Sequence, residues 1–244
     1  TAISMDEMKM AQMETNKLTR GVELSKIAVI VAGGTGVRMN TAIPKQFLLL
    51  NGKPILYYTI KTFLQAFNDV KIILVLPEES IAAGQEIIDA FFDYERIKIT
   101  IGGRTRFHSV QNGLKLIEEE AIIFVHDGVR CLVSQQLIHH CYNAAIEFGS
   151  AIPVIGSADS LRIIKGENNE ILDRDTVRLV QTPQTFHSKI LLPAFNIDFK
   201  EKFTDEATVV EAFGLKVHLV EGEETNIKIT NPNDLLIAEK IVSK

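Results

Sequence analysis

Short apolar runs recur along the chain, each bounded by glycine, proline or charge. Those at 27–31, 70–76, 97–101, 121–125 and 151–154 carry β-branched residues in succession, which reads as strands buried on both faces. Between them the apolar positions take up helical spacing. Pro54 sits at the first position of a helix predicted to run to about 67. A helix over 79–92 turns Ile81, Ile87, Ile88, Phe91 and Phe92 to one side. Further helices are expected over 106–119, over 134–148 behind the cap Ser134, and over 205–213. A strand at 216–220 precedes a last helix that opens Asn231-Pro232, with the asparagine as cap and Asp234 favourable to the helix dipole.

Strands alternating with helices imply an α/β fold, a Rossmann-like and mostly parallel sheet flanked by helices. Over 156–180 the alternation stops. Strand-like pieces at 160–164 and 176–180 flank a polar turn at 165–170, which reads as a β-arm projecting from the sheet. Its Leu161, Ile163, Ile164, Ile171 and Leu172 need cover that an isolated hairpin does not provide. The first 24 residues differ in composition: Met5, Met8, Met10 and Met13 lie among polar residues, without the apolar core of a signal peptide. The chain is thus read as a leader, 1–24, and one domain, 25–244, carrying the arm at 156–180.

A hydrophobic share of 46% over 244 residues suffices for one large core or two small ones. Net charge is −5 and no long basic run occurs, which argues against a nucleic-acid partner. No apolar stretch approaches the ~20 residues of a membrane helix. Cys131 and Cys141 are too few for a disulfide framework, and a reduced, cytoplasmic setting is expected. His139, His140 and Cys141 are adjacent on a helix and point to different sides, so they do not converge on a metal.

Ligands of open parallel sheets sit beyond the carboxyl ends of the strands. Gly33, Gly34 and Gly36 follow the first strand, Gly102 and Gly103 the third, His126 and Asp127 the fourth. The first glycine turn offers backbone N–H groups without Cβ atoms in the way, and Arg38 and Lys45 add two cations close by. That combination suits a triphosphate, whose developing charge needs donors already in place. The turn lacks the Gly-Lys-Ser/Thr of a P-loop, and Met39 stands where a dinucleotide fingerprint needs its third glycine. Arg104 reads as an ordinary turn residue, and Cys131 has no base near it in sequence to make it a nucleophile.

The segment AGGTGVRM followed by PKQF resembles the signature of nucleotidyltransferases that join a nucleoside triphosphate to a sugar or polyol phosphate. Within that group it is most similar to the 2-C-methyl-D-erythritol 4-phosphate cytidylyltransferases. The likeness continues through GGRTRFHSV, HDGVR, DRDT, QTPQTF, TDEA and NIKIT, covering roughly 26–240. It implies that Ala32, Gly33, Gly34, Thr35 and Gly36 cradle the triphosphate of CTP. Gly102, Gly103 and Ser109 would face base and ribose with Arg106 nearby, and Asp127 would lie by the ribose and the metal–triphosphate. Arg130 falls on the acceptor side, where Ser160, Thr182 and Thr204 supply hydroxyls. Arg38, Lys45, Arg174 and Lys228 form the catalytic set, with Arg174 and Lys228 holding the acceptor phosphate. The implied cofactor is Mg²⁺, held mainly by the CTP phosphates with Asp127 nearby and no dedicated protein metal site. The implied assembly is a homodimer in which the arm embraces the second subunit and Arg174 reaches the neighbour's site.

Some positions depart from the family pattern. Gly128 and Val129 replace two alanines and Cys131 replaces a proline, which predicts a looser turn and a less defined place for Arg130. Ser160 stands for a threonine. Ribitol 5-phosphate cytidylyltransferases share the glycine loop, the HD pair and the NIKIT-like segment; Arg174 and TDEA favour methylerythritol phosphate, Val129 the other acceptor. A non-catalytic nucleotide-binding regulator would not need Arg38, Lys45 and Lys228 together.

Overall fold

At the centre of the sheet β1 (Ser25–Val31) runs parallel between β4 (Lys71–Leu76) and β6 (Ala121–Asp127), with Ile27 opposite Lys71 on one side and Ile123 on the other. The computed structural model describes residues 24–34, 43–92 and 94–243. Beyond β4 lies β5 (Ile97–Ile101), also parallel. On the far side of β6 the antiparallel β11 (Gln184–His187) leads to β7 (Ser150–Ile155). The short β10 (Leu179–Val180) and β12 (Leu219–Glu221) also pair with β7. The expected mostly parallel α/β sheet is therefore present.

Both faces of β1 and β6 are apolar, yet the period of two still sorts them. Ala28, Ile30, Ile72, Leu74 and Phe124 face one layer, made by α1 (Ile55–Ala66), α2 (Ile81–Phe91) and α4 (Gln135–Phe148). Val29, Val31, Ile73, Val75 and Val125 face the other, made by α3 (Arg106–Leu114), α5 (Ser188–Ala194) and α6 (Glu206–Ala212). Phe63, Phe124 and Phe186 are wholly buried, each contributing roughly 1.5–3 kcal/mol by burial. A third, smaller cluster joins Leu50, Ile55, Val129, Cys131 and Ile229 to Ala238 on α7 (Pro232–Val242). Asn231 caps α7, as the sequence predicts, and Asp234 completes a capping box with it. Among the described residues no helix is long and apolar enough to cross a membrane.

Several boundaries differ from expectation. Pro54 precedes α1 as its cap residue, because its extended ψ of 144° closes a two-strand ribbon of β2 (Leu49–Leu50) and β3 (Lys53–Pro54). The helix expected over 79–92 begins as a 3-10 turn, Glu78–Ser80, and leaves Phe91 41% exposed. The helix expected to reach 119 stops at Leu114, since Gly113 weakens its end and Glu118, Glu119 and Glu120 oppose the dipole there. In the arm, β8 (Leu161–Lys165) pairs with β9 (Asn168–Leu172), so four residues assigned to the polar turn are strand. Gly166, at φ +61°, supplies the first position of a two-residue loop and allows this tight reversal. The piece at 176–180 shortens to β10 and joins the main sheet, and the strand at 216–220 shifts to β12. β11 and α5 have no counterpart in the sequence reading: β11 is too short and too polar to stand out.

Gly113 is the tightest point between α3 and the sheet, where a Cβ would lie 2.7 Å from Val29 Cγ1 and 3.1 Å from Val75 Cγ2. Gly113→Ala is expected to destabilise the fold by about 1–3 kcal/mol despite alanine's better helix propensity. Urea unfolding measures this, and an unchanged midpoint would refute the packing argument.

Candidate active site

The carboxyl ends of β1, β4, β5 and β6 open into a cavity of about 510 Å³. Ala32, Gly33, Gly34, Lys45, Gly102, Gly103, Arg106, Ser109, Asp127 and Lys228, all singled out by the sequence, line it together. Arg104, read as a plain turn residue, also lines it. Gly33 is bare: a Cβ there would meet nothing within 4 Å, so its backbone faces open space. A Cβ at Gly34 would instead stand 3.2 Å from Lys45 Cε, so this glycine makes room for the lysine stem. Lys45 follows Pro44 in a 3-10 turn and donates to the Ile229 carbonyl at 3.3 Å. The adjoining Gln46 is buried and donates to the Ala32 carbonyl at 2.8 Å, which fixes the entry to the glycine turn. Thr35, Gly36 and Arg38 lie outside the described residues.

The second glycine pair has a different cause. A Cβ on Gly102 would lie 3.0 Å from Ser109 Oγ, and one on Gly103 would run into His108. Ser109 Oγ accepts from Gly103 N at 3.0 Å and lies 3.0 Å from the Thr105 carbonyl, so it closes the turn onto α3.

Asp127 ends β6 with one oxygen toward each of two cations. Arg106 Nε donates to Oδ1 at 3.1 Å, and Lys228 Nζ lies 2.7 Å from Oδ2. The other edge of Arg106 is bidentate on Glu206, at 2.5 and 3.1 Å. Burial pushes the Asp127 carboxyl up, but Arg106, Lys228 and Arg130 outweigh it and hold Asp127 well below the usual carboxylate range. Burial likewise opposes the Arg106 charge, and Glu206 and Asp127 more than restore it. Arg106, Arg130 and Lys228 gather around Asp127 and Glu206, and Lys45 and Arg104 line the same cavity beside exposed glycine backbone, with Glu78 and Glu79 also in its lining. Such a place attracts a polyanion.

Lys228 owes its place to a buried polar seam. Asn226 Nδ2 donates to the Thr182 carbonyl at 2.9 Å, Arg130 Nη1 donates to the Asn226 carbonyl at 2.8 Å, and Ile229 N donates to the Val129 carbonyl at 3.0 Å. The turn that follows Asp127 is accordingly not loose, contrary to the expectation from its altered motif. Gly128 donates to the Val31 carbonyl at 2.9 Å and accepts from Thr59 Oγ1 at 2.9 Å, while Val129 and Cys131 are buried. Arg130 lies beneath the cavity, bonded to backbone carbonyls. The Thr182 hydroxyl is buried and engaged with Asp127 N at 3.1 Å and His126 Nδ1 at 3.0 Å. Thr204 is exposed ahead of α6. Ser160 and Arg174 lie on or beside the arm; Arg174 donates to the Ala158 carbonyl at 2.8 Å and lines a second cavity of about 670 Å³. One chain therefore does not bring Arg174 to Lys228.

Glu206, Gln46 and Asn226 are the contributors the sequence reading did not single out, and His126, placed by it at the ligand edge of the sheet, was given no role. An acid in the first turn of a helix reads as a dipole complement, so nothing local marks Glu206 as buried. His139 packs on the Phe67 ring at 4.5 Å, and burial pushes the thiols of Cys131 and Cys141 up to about 12, which fits neither metal binding nor nucleophilic use.

A sheet whose carboxyl edge gathers cations over bare backbone places the chain among α/β enzymes that handle phosphorylated substrates. Comparison with known proteins is more specific. The family model described as IspD, 2-C-methyl-D-erythritol 4-phosphate cytidylyltransferase, matches residues 26–244. The enzyme of that name from Phocaeicola vulgatus is 43% identical over 219 residues, 90% of this chain and 100% of the relative. The Bacteroides fragilis enzyme is 43% identical over 220 residues, again 90% and 100%. Among solved structures, 4-diphosphocytidyl-2C-methyl-D-erythritol synthase from Anaerococcus prevotii superposes with a TM-score of 0.78 at 29% identity, covering 91% of this chain and 97% of that one. The chain belongs to the 2-C-methyl-D-erythritol 4-phosphate cytidylyltransferase family.

The buried imidazole of His126 gives the site a pH dependence. Burial lowers its pKa to about 4 from 6.5. Below pH 6.5 the unfolded chain takes up a proton that the folded one refuses until about pH 4, so stability is lost on acidification across that window. The full effect is roughly 3 kcal/mol. His187, also depressed by burial and by Lys189, acts in the same direction. Urea unfolding at pH 7 and pH 5 is expected to show the fall, and His126→Gln to shrink it; an equal fall in the variant would assign it elsewhere.

Proposed function

We infer that this chain transfers CMP from CTP to 2-C-methyl-D-erythritol 4-phosphate and releases pyrophosphate. The observation that carries the reading is the convergence of Lys45, Arg106, Asp127 and Lys228 on one cavity beside the bare backbone of Gly33. An oxygen of the acceptor phosphate attacks the α-phosphorus, a new P–O bond forms, and the bond to the β-phosphate breaks with its electron pair leaving on pyrophosphate. Positioning and charge stabilisation supply most of the catalysis in such transfers. Lys45, with Arg38, stabilises the crowded charge at the α-phosphate, and Lys228 with Arg174 orients the acceptor. A phosphate nucleophile needs no strong general base.

Mg²⁺ fits the donor set in one way only. No group of three or more His, Cys, Asp or Glu side chains among the described residues forms a metal cage. Both oxygens of Asp127 are engaged by cations. The ion would be held by CTP phosphates with Asp127 beside it, and it would neutralise phosphate charge.

The arm supports a two-fold homodimer. Ile164 and Ile171 are 71% and 77% exposed on β8 and β9, and Leu179, Val180 and Leu219 are exposed nearby on the sheet. A second copy would cover these residues and bring its Arg174 to the first copy's acceptor site.

Pyrophosphate release with CTP should far exceed that with ATP or GTP, and 2-C-methyl-D-erythritol 4-phosphate should serve better than ribitol 5-phosphate. Lys45→Ala should lower kcat by roughly 10²–10³-fold with a smaller change in CTP affinity. Release equal with ATP, or CTP binding without turnover, would defeat the reading.

The shared site has a separate test. Inactive Arg174→Ala and Lys45→Ala proteins should regain partial activity when co-assembled, since one site of a mixed dimer keeps both residues. A fully active monomer, or no rescue in verified mixed dimers, would remove the shared site and leave the chemistry standing.

A further inference from the structure

We propose that His126 is a positioning residue for the transfer: its two ring nitrogens tie the turn at 127–130 to Thr182 and thereby set where Asp127, Arg130 and Lys228 stand. The inference rests on the cytidylyltransferase reading for its catalytic consequence, but its structural basis is independent of it.

The hydrogen-bond directions follow from the atoms present. His126 Nε2 lies 3.1 Å from the Arg130 carbonyl, which only accepts, so Nε2 carries a hydrogen. Nδ1 lies 3.0 Å from Thr182 Oγ1, and that oxygen already accepts the N–H of Asp127 at 3.1 Å. The hydroxyl has one hydrogen to give, and it goes to Nδ1 of a neutral ring. All four groups are then satisfied. A second proton on the ring would leave the threonine hydrogen without an acceptor. The ring is wholly buried, and Phe63 packs edge-on against it with centroids 5.2 Å apart, so it has no room to swing away. The charged groups around it are Asp127, Arg130 and Arg106.

The tether reaches the catalytic groups through backbone. Asp127 N is one of its donors and the Arg130 carbonyl one of its acceptors, and Arg130 N closes the turn onto the Asp127 carbonyl at 2.9 Å. Arg130 then grips Asn226, two residues before Lys228, while Lys228 itself meets Asp127. A slack tether lets Asp127 and Lys228 shift together relative to the glycine turn, and a displacement near 1 Å costs on the order of 10²-fold in rate.

Two variants separate the two bonds. His126→Gln can still donate near the Nε2 position and loses the acceptor for Thr182, whereas Thr182→Val keeps the volume and removes the hydroxyl. Both are expected to lower kcat about ten- to a hundredfold, with the KM for CTP changed by less than about threefold. A purely structural histidine would instead reduce the yield of folded protein while leaving kcat per folded enzyme unchanged, and that result overturns the proposal. The second readout needs no turnover. In protein labelled with ¹⁵N-histidine, His126 should show the Nε2–H tautomer with no titration between pH 8 and pH 5, and its Nδ1 resonance should shift in Thr182→Val. An Nδ1–H tautomer, or titration near pH 6.5, overturns the proposal. Wild-type protein that releases no pyrophosphate defeats the cytidylyltransferase reading, and the resonances alone then decide whether the tether exists.

Discussion

The carboxylate of Asp127, held between Arg106 and Lys228, is the interaction on which the rest of the site depends. It stands at the end of a strand buried along its whole length, where an isolated charge would neutralise itself. Two touching cations keep it ionised. One of them is braced by the buried Glu206, and the other rides on a segment that Asn226 ties to Thr182, whose hydroxyl accepts from Asp127 N. Such networks add little net stability, yet removing one member leaves a buried charge uncompensated at about 3–5 kcal/mol. Their service is to fix where the charges stand. The two apolar layers hold the fold; the ion network holds the geometry over the glycine turn.

The same residue type serves three ends at this edge of the sheet. Gly33 is open because its backbone must be approachable, Gly34 makes room for the Lys45 stem, and Gly102 and Gly103 let α3 close onto β5 through Ser109. Spacing identifies all four as belonging to the edge but not which of them a ligand touches. The distinction rests on what stands opposite each missing Cβ.

Much of the fold was legible because β1, β4 and β6 are runs of mostly branched apolar residues that no helix would bury on every side, and β5 is rich in β-branched residues. β11 was not legible: four residues, three of them polar in the interior of a sheet, give no periodic signal. The arm was legible as an excursion but not in register, since Asn168, Asn169 and Glu170 are turn formers by composition and strand by pairing. At the site, glycines, cations and Asp127 were readable because chemistry demands their types. Glu206, Gln46 and Asn226 act by being buried against them, and burial of a polar residue comes from distant segments that sequence spacing does not encode.

The altered motif after Asp127 shows how such geometry survives a change of residues. Where the family pattern has alanines and a proline to stiffen the turn, this chain packs Val129 and Cys131 into the cluster with Ile55, Ile229 and Ala238. Gly128 gives up its Cβ, which would lie 2.9 Å from that of Ala32, so the turn sits directly against the start of the glycine loop. Rigidity that a proline supplies through the chain's own dihedrals is here supplied by tertiary packing. The stiffness of the catalytic turn consequently depends on α7, a helix that contributes no residue to the cavity. Packing of Ala238 against Val129 and Cys131 becomes part of what holds Arg130, and through Asn226 part of what holds Lys228.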